Sequence, residues 1–483
     1  MADKSLKDKT AKGLLWGGLS NGMVQILNAV FGIYLLNLLT PHDYGMVQVL
    51  NVFSCVAASL QESGFIAALA NKKTPTHKDY NAVFWFNILC GSFLYVLLFF
   101  LAPYIADFYD EPRLTPLARF LFLSFLITSF GIAQRAYLFG HLMVKQTSII
   151  SVLALLISGV ASIIMAYNGF AYWGLAAQGV LYVTVIVIMN WYYSPWRPTM
   201  QWDFGPIRKM FGFSSKLLIT SLFTQVNRNV LSTLLGKYYN TNVAGQYGNA
   251  NKWNEMGFNM INGMISGVAQ PVLAQVKDER QQSIHVFRKM LRFTCFIAFP
   301  AMLGLGYIAH EFILITVGTK WLESASLLSM LCVYGAFVPV NTLYYILVIS
   351  QGKSNINMIN TIVSCVLIWA LMIGLHSYGL YVMVKAFIAV NVLWTLVWHY
   401  FAWRLIRISL WDVIKDIVPF AAITVVSIAL SWLVTFRIEN NLLLLISKIL
   451  TTAVFYVGIL YVSNANILRE SMQYIFKNKK HKS

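Results

Sequence analysis

Along the chain, apolar residues come in runs of about twenty or more, separated by short polar connections. "NILCGSFLYVLLFFLAPYIA" and "FAAITVVSIALSWLVTF" are two such runs, and neither carries a charge. A bilayer core takes about 20 apolar residues per helix. The pattern predicts fourteen membrane helices, at 13–39, 46–70, 82–106, 117–140, 147–167, 172–194, 211–236, 247–275, 290–318, 325–350, 355–376, 379–403, 412–434 and 441–463. Four of these segments break the apolar pattern with polar residues at helical spacing, i, i+4, i+7. The seventh places Ser221, Gln225, Arg228 and Ser232 on one face, and the eighth places Lys252, Glu255, Asn259, Asn262 and Ser266 on one face. The first does the same with Asn21, Gln25, Asn28 and Gly32, and the second contributes Gln48, Ser59 and Glu62.

Composition agrees with the spans. Of 483 residues, 58% are hydrophobic and 11% charged, where a soluble domain carries roughly 25% charged. The fold class expected is all-α and polytopic. A net charge of +18 could indicate nucleic acid in a soluble protein, but its placement here indicates a membrane and no nucleic acid. Every second connection is rich in Lys and Arg, from "MADKSLKDKTAKG" through "NKKTPTHK", "RPTMQWDFGPIRK" and "KDERQQSIHVFRK" to "KNKKHK". The other connections hold Arg113, Arg119, Lys237, Lys320 and Arg437 beside acidic pieces such as "DFYDE". The positive-inside rule puts both termini in the cytoplasm. The first apolar run is too long for the core of a signal peptide and is expected to remain as a span.

Three short matches recur at a near-constant displacement. Tyr44-Gly45 answers Tyr247-Gly248 and Tyr104 answers Tyr307, both 203 residues on, while "YWGL" at 172–175 answers "SYGL" at 377–380. Spans one to six therefore read as a copy of spans seven to twelve. An even number of spans makes a parallel repeat, with a substrate path expected where the copies meet. The expected organisation is an N-terminal six-helix bundle at 1–194, a cytoplasmic linker at 195–210 and a second bundle at 211–403. Two appended helices at 404–463 and a basic tail at 464–483 complete it.

The chemistry on offer is cationic and amide-rich. A charge at the bilayer centre costs at least ~2.5–3.5 kcal/mol and normally faces a cavity or a partner. At ~1.5 Å per residue, Arg228 lies about 12 Å below the outer end of its helix, with Lys252 and Lys385 at similar depth. Arg228, Lys252 and Lys385 are thus the candidate anion site, suited to a diphosphate that Arg grips bidentately and Lys meets as a point charge. Asn21, Gln25, Asn28, Gln48, Gln225, Asn259 and Asn262 are the candidate polar lining, and Glu62 and Glu255 are candidates for ion coupling or for helix bonding. Snorkelling to the surface is the alternative for Lys252 and Lys385, and a structural bond between helices is the alternative for Arg228. Tyr192, Tyr193 and Trp196 read as an interfacial aromatic belt. The cysteines (Cys55, Cys90, Cys295, Cys332 and Cys365) sit singly in apolar segments, and the histidines form no ligand pair. No cofactor, no metal and no enzyme motif is expected.

Some turns carry a family resemblance. "LLTPHDYGMVQV" resembles the L-x-P-x-x-Y-G turn of bacterial polysaccharide exporters, and "VGTKWLESASLLSML" is similar to their second-half G-x-x-W pattern. "SQGKSN" is similar to the turn after their tenth helix. With fourteen helices and duplicated bundles, the chain resembles Wzx-type flippases of the multidrug/oligosaccharidyl-lipid/polysaccharide superfamily, in the colanic-acid and teichuronic-acid exporter branch. The resemblance implies a MATE-like or flippase-like pair of bundles with a cationic cavity. It also implies passage of undecaprenyl-diphosphate-linked oligosaccharide across the bacterial inner membrane by alternating access, with the polysaccharide polymerase machinery as a partner. Lipid II flippases of that superfamily carry cations in both lobes, and this sequence has none in the middle of its first two spans. The competing functions are a multidrug antiporter of the same fold, which would want acidic cavity residues, and a polysaccharide polymerase, which would want a sizeable outer loop.

Overall fold

The computed structural model describes residues 2–62, 69, 72, 75–141 and 143–463, with backbone alone for 2–19, 62 and 209–217. Among the described residues the regular structure is helical throughout, and contacts divide the chain into two units, Met1–Gly245 and Gln246–Ser483. The first unit holds α1 (Ala2–Leu38), α2 (Pro41–Glu62), α3 (His77–Phe108), α4 (Leu114–Ser129), α5 (Ile132–Gly140), α6 (Val144–Tyr167), α7 (Ala171–Tyr193), α8 (Gly205–Arg228) and α9 (Val230–Tyr238). α10 (Thr241–Gln275) starts in the first unit and continues in the second. The second unit then contains α11 (Arg280–Tyr307), α12 (Ala309–Val317), α13 (Leu322–Ser350), α14 (Ser354–Leu375), α15 (Leu380–Ile406), α16 (Leu410–Thr435) and α17 (Asn441–Val462).

Ten described helices are long and apolar enough to cross a membrane, and α4 with α5, bent by 48°, makes an eleventh if taken as one span. The protein is a multi-pass membrane protein. The expected spans outside that set are the second, seventh and eighth, which fall on α2, on α8 with α9, and on α10. These helices are present, and three of the four segments with polar faces are the ones whose apolar character is diluted. The fold is therefore consistent with fourteen crossings. The basic tail at 464–483 and the Glu62 side chain lie outside the described residues.

In the first unit, the core is built where Met46, Val49 and Leu50 of α2 meet Leu94, Leu98 and Ala102 of α3 and Leu117, Phe122 and Phe125 of α4. The turn into α2 is set by a reciprocal cap. Asp43 Oδ2 accepts from the Thr40 backbone N–H at 3.0 Å, and the Asp43 N–H donates to Thr40 Oγ1 at 3.2 Å, which satisfies donors the helix start leaves open. Pro41 occupies the first helical position, where its missing N–H costs nothing. Gly45 and Gly245 face each other's helix starts. A β-carbon at Gly45 would overlap the Thr241 carbonyl oxygen, and one at Gly245 would overlap the Pro41 carbonyl oxygen. The Y-G turn is thus a backbone crossing that only glycine permits.

The segment after α7 is strapped along the start of α3. Asn81 Nδ2 donates to the Gln201 carbonyl at 2.6 Å, the Thr199 N–H donates to Asn81 Oδ1 at 2.9 Å, and Trp85 Nε1 donates to the Thr199 carbonyl at 2.8 Å. Trp196, expected in an interfacial belt, is instead buried and donates to His77 Nδ1 at 3.0 Å. Its indole finds a partner inside the unit, whereas Tyr192 is exposed.

In the second unit, Gly318 (φ +86°) ends α12 in a conformation suited to glycine, and Trp321 behind it is fully buried. Gln246 of α10 then caps α13, accepting from the Ser324 N–H at 3.0 Å and donating to the Lys320 carbonyl at 2.8 Å. These contacts give the G-x-x-W segment its geometry. The appended helices are fixed to the same unit by ion pairs. Arg288 of α11 holds Asp416 of α16 at 2.7 Å and Asp412 at 3.0 Å, and Lys448 of α17 holds Glu311 of α12 at 2.8 Å.

Candidate functional site

The polar face of the seventh span is divided by a break in the helix. α8 stops at Arg228, Asn229 has φ −98° and ψ 3°, and α9 resumes at Val230. On either side, side chains bond to α2 within the first unit. Gln48 Nε2 donates to Ser232 Oγ at 3.0 Å, Asn51 Nδ2 lies 3.5 Å from Asn229 Oδ1, and Ser221 Oγ lies 3.3 Å from Ser59 Oγ. Regular spacing put Ser232 on the face of Arg228, but the two have different surroundings. Ser232 is buried against α2, while Arg228 is exposed and makes no hydrogen bond or ion pair among the described residues. Gln225, one turn before, is half-buried.

The other sequence candidates are placed as follows. Asn21 and Gln25 on α1 are exposed, and Asn28 is half-buried. On α10, Lys252 and Glu255 are half-buried, and Glu255 Oε1 accepts from Asn251 Nδ2 at 3.1 Å. Asn259 is exposed, and Asn262 is half-buried with its Oδ1 atom enclosed and without a hydrogen bond among the described residues. Lys385, five residues into α15, is exposed and has no hydrogen bond or ion pair among the described residues. Arg228 belongs to the first unit, and Lys252 and Lys385 belong to the second. No group of three or more His, Cys, Asp or Glu side chains could hold a metal among the described residues. Among the described residues, none of the five cysteines is joined to another in a disulfide.

Sequence reasoning missed three features. Asn229 is one, because neither Pro nor Gly marks the break. Gln246 is another, since its partners lie 74 and 78 residues away. The third is an apolar cavity of about 480 Å³ between α11 and α17, lined by Pro300, Gly304, Ile308, Lys448, Thr452 and Tyr456 among others. Lys448 was the one available signal, a cation inside the last apolar run.

Comparison with known proteins adds the following. Residues 35–326 match the model of the family described as "Polysaccharide biosynthesis protein". The lipopolysaccharide biosynthesis protein WzxC of Escherichia coli (strain K12) is 24% identical over 403 residues, covering 82% of this chain and 81% of that protein. The teichuronic acid biosynthesis protein TuaB of Bacillus subtilis (strain 168) is 24% identical, covering 68% and 69%. Among solved structures, the lipid II flippase MurJ in an inward closed conformation superposes with a TM-score of 0.77 at 14% identity, over 94% of this chain and all of that one. An inward-facing MATE multidrug transporter of the MOP superfamily gives 0.63 at 14% identity, over 80% and 94%. At such identities these two structures establish the fold alone.

Proposed function

The family match spans more than half of the chain, so the protein belongs to the polysaccharide biosynthesis protein family, and from that membership we propose that it carries a polyprenyl-diphosphate-linked oligosaccharide across the bacterial cytoplasmic membrane. The names of two relatives, one in lipopolysaccharide and one in teichuronic acid biosynthesis, support a surface-glycan substrate. The fold shared with a lipid II flippase and with MATE transporters supports alternating access. The protein acts as a carrier and not as a polymerase, and both termini face the cytoplasm.

The observation that carries the mechanism is Arg228: an exposed guanidinium in the expected seventh span, with no partner among the described residues. Against lipid such a charge costs at least ~2.5–3.5 kcal/mol, so water and a passing anion are its cheaper surroundings. The diphosphate supplies that anion and accepts a bidentate pair of N–H bonds. Lys252 and Lys385 add point charges, and Asn21, Gln25, Asn28, Gln225, Asn259 and Asn262 hydrogen-bond sugar hydroxyls. The apolar cavity along α11 and α17 suits a hydrocarbon chain.

The test is flipping in proteoliposomes, read by lectin binding to glycan lipid that has reached the far leaflet. Arg228→Ala is expected to slow appearance about tenfold or more, the effect of ~1.4 kcal/mol or above on the barrier, with Arg228→Lys in between. Wild-type flipping by Arg228→Ala would overturn the role given to this residue. A multidrug antiporter of the same fold would instead raise drug resistance when overproduced and leave the glycan lipid unmoved.

A further inference from the structure

In residues 400–415, "YFAWRLIRISLWDVIK", an aromatic residue is three times followed four positions later by a cation: Tyr400 and Arg404, Trp403 and Arg407, Trp411 and Lys415. The structure brings each pair together. Arg404 Cζ lies 5.3 Å from the centre of the Tyr400 ring, Arg407 Cζ 5.1 Å from that of Trp403, and Lys415 Nζ 5.4 Å from that of Trp411. A ring face attracts a cation at such distances. Both α15 and α16 are long and apolar enough to cross a membrane, so the turn between them lies at a membrane surface. All three rings are exposed, as the aromatic belt of a membrane interface requires.

Other ring-backed cations, Arg119, Lys237 and Lys448, also hold a protein acceptor, the Phe99 carbonyl at 3.4 Å, Asp110 at 3.2 Å and Glu311 at 2.8 Å. Arg404, Arg407 and Lys415 are exposed, and their side chains make no hydrogen bond or ion pair among the described residues. The two carboxylates at the start of α16 are already engaged, since Asp412 and Asp416 meet Arg288 of α11 at 3.0 and 2.7 Å. The outward charge of the turn is therefore positive and unanswered. Arg407 adds an independent sign. It caps α15 with φ +57° and ψ 34°, a left-handed conformation where glycine is usual and a side chain is strained. Residues held in such conformations cluster at functional sites.

We propose that the α15–α16 turn binds the phosphate of an anionic phospholipid headgroup. The rings enter the interfacial zone, and an arginine held against a ring can take the phosphate oxygens bidentately. Lys415 reaches back one turn along α16 to Trp411, toward the surface, and adds a point charge. The site is independent of what the protein carries.

The experiment titrates the full-length protein in neutral detergent with short-chain phosphatidylglycerol, or with phosphatidylcholine of the same chains, and counts bound lipid by native mass spectrometry. Each cation near an anionic surface is worth about fivefold in affinity, so the parent should prefer phosphatidylglycerol by about tenfold or more. The combined variant Arg404→Gln, Arg407→Gly and Lys415→Gln should bind the two lipids to within about twofold of each other. Arg407→Gly alone should lose about fivefold, while its thermal unfolding midpoint stays level or rises, because glycine relieves the left-handed backbone. Arg437, which lies over Phe436 at the α16–α17 turn, is the control, and Arg437→Gln should leave the preference as it was. Undiminished preference in the combined variant or in Arg407→Gly overturns the proposal. Equal loss in Arg437→Gln also overturns it, as a response to net charge alone. Displacement of phosphatidylglycerol by equimolar inorganic diphosphate would assign the turn to a soluble anion and overturn the lipid assignment.

Discussion

At Gly45 a single methyl group has nowhere to go, because the Thr241 carbonyl oxygen fills the space a β-carbon would take. That neighbour is the backbone of the first turn of α10 and cannot swing aside as a long side chain would. Overpacking of this kind costs about 1–3 kcal/mol. Gly45→Ala is expected to lower the thermal unfolding midpoint of the detergent-purified protein by several degrees, whereas alanine at Gly22, which has open space around it, should leave it in place. Equal midpoints for the two variants would mean the crossing is looser than the backbone contact implies. The glycine was legible from its turn motif, but its opposite number was not. Repeat matching aligned Tyr44-Gly45 with Tyr247-Gly248, and the residue that actually meets the α2 start is Gly245, three positions earlier. Short repeats align residue types; only packing shows which backbones touch.

Between elements, the second unit adds enclosed ion pairs to its apolar packing. Glu311 and Lys448 are 7% and 12% exposed in their side chains, and Asp416, 4% exposed, is shared by Arg288 and Arg292. Removing one partner of an enclosed pair costs about 3–5 kcal/mol, while replacing both by apolar groups is often neutral. Lys448→Met should therefore destabilise the protein strongly, and the double variant with Glu311→Leu should recover to within about 1 kcal/mol of the parent, read by thermal or denaturant unfolding in micelles. A double variant as unstable as the single one would show that the pair is not what joins α17 to α12. Hydropathy could reveal the appended helices but not these ties, because the two members of each pair lie more than a hundred residues apart. The α8–α9 break was hidden as well, since neither Pro nor Gly lies at Asn229 to mark it.

For the whole molecule, the membrane character and most of the crossings could be read directly, because a helix in lipid satisfies its own backbone and needs only apolar side chains. The helices that fail that simple test are α2, α8 with α9, and α10, which carry three of the four polar faces and whose count as crossings is supported by the alternation of basic connections. The proposed orientation rests on the same alternation. A cysteine at Asp278 should react with an impermeant maleimide only from the cytoplasmic side, and one at the exposed Asp110 only from outside. Reaction of both from the same side would remove one crossing between them and undo the proposed topology.

The strap that follows α7 bears on how the protein is made. The side chains of His77, Asn81 and Trp85 acquire their bonding groups only when Trp196, Thr199 and Gln201 have been synthesised, more than a hundred residues later. Until the ribosome has passed that point, the early helices sit in the bilayer with an unfinished edge at the mouth of α3. A nascent chain stalled before residue 196 should accordingly be open to membrane proteases, and one stalled after residue 240 and clear of the exit tunnel should resist them.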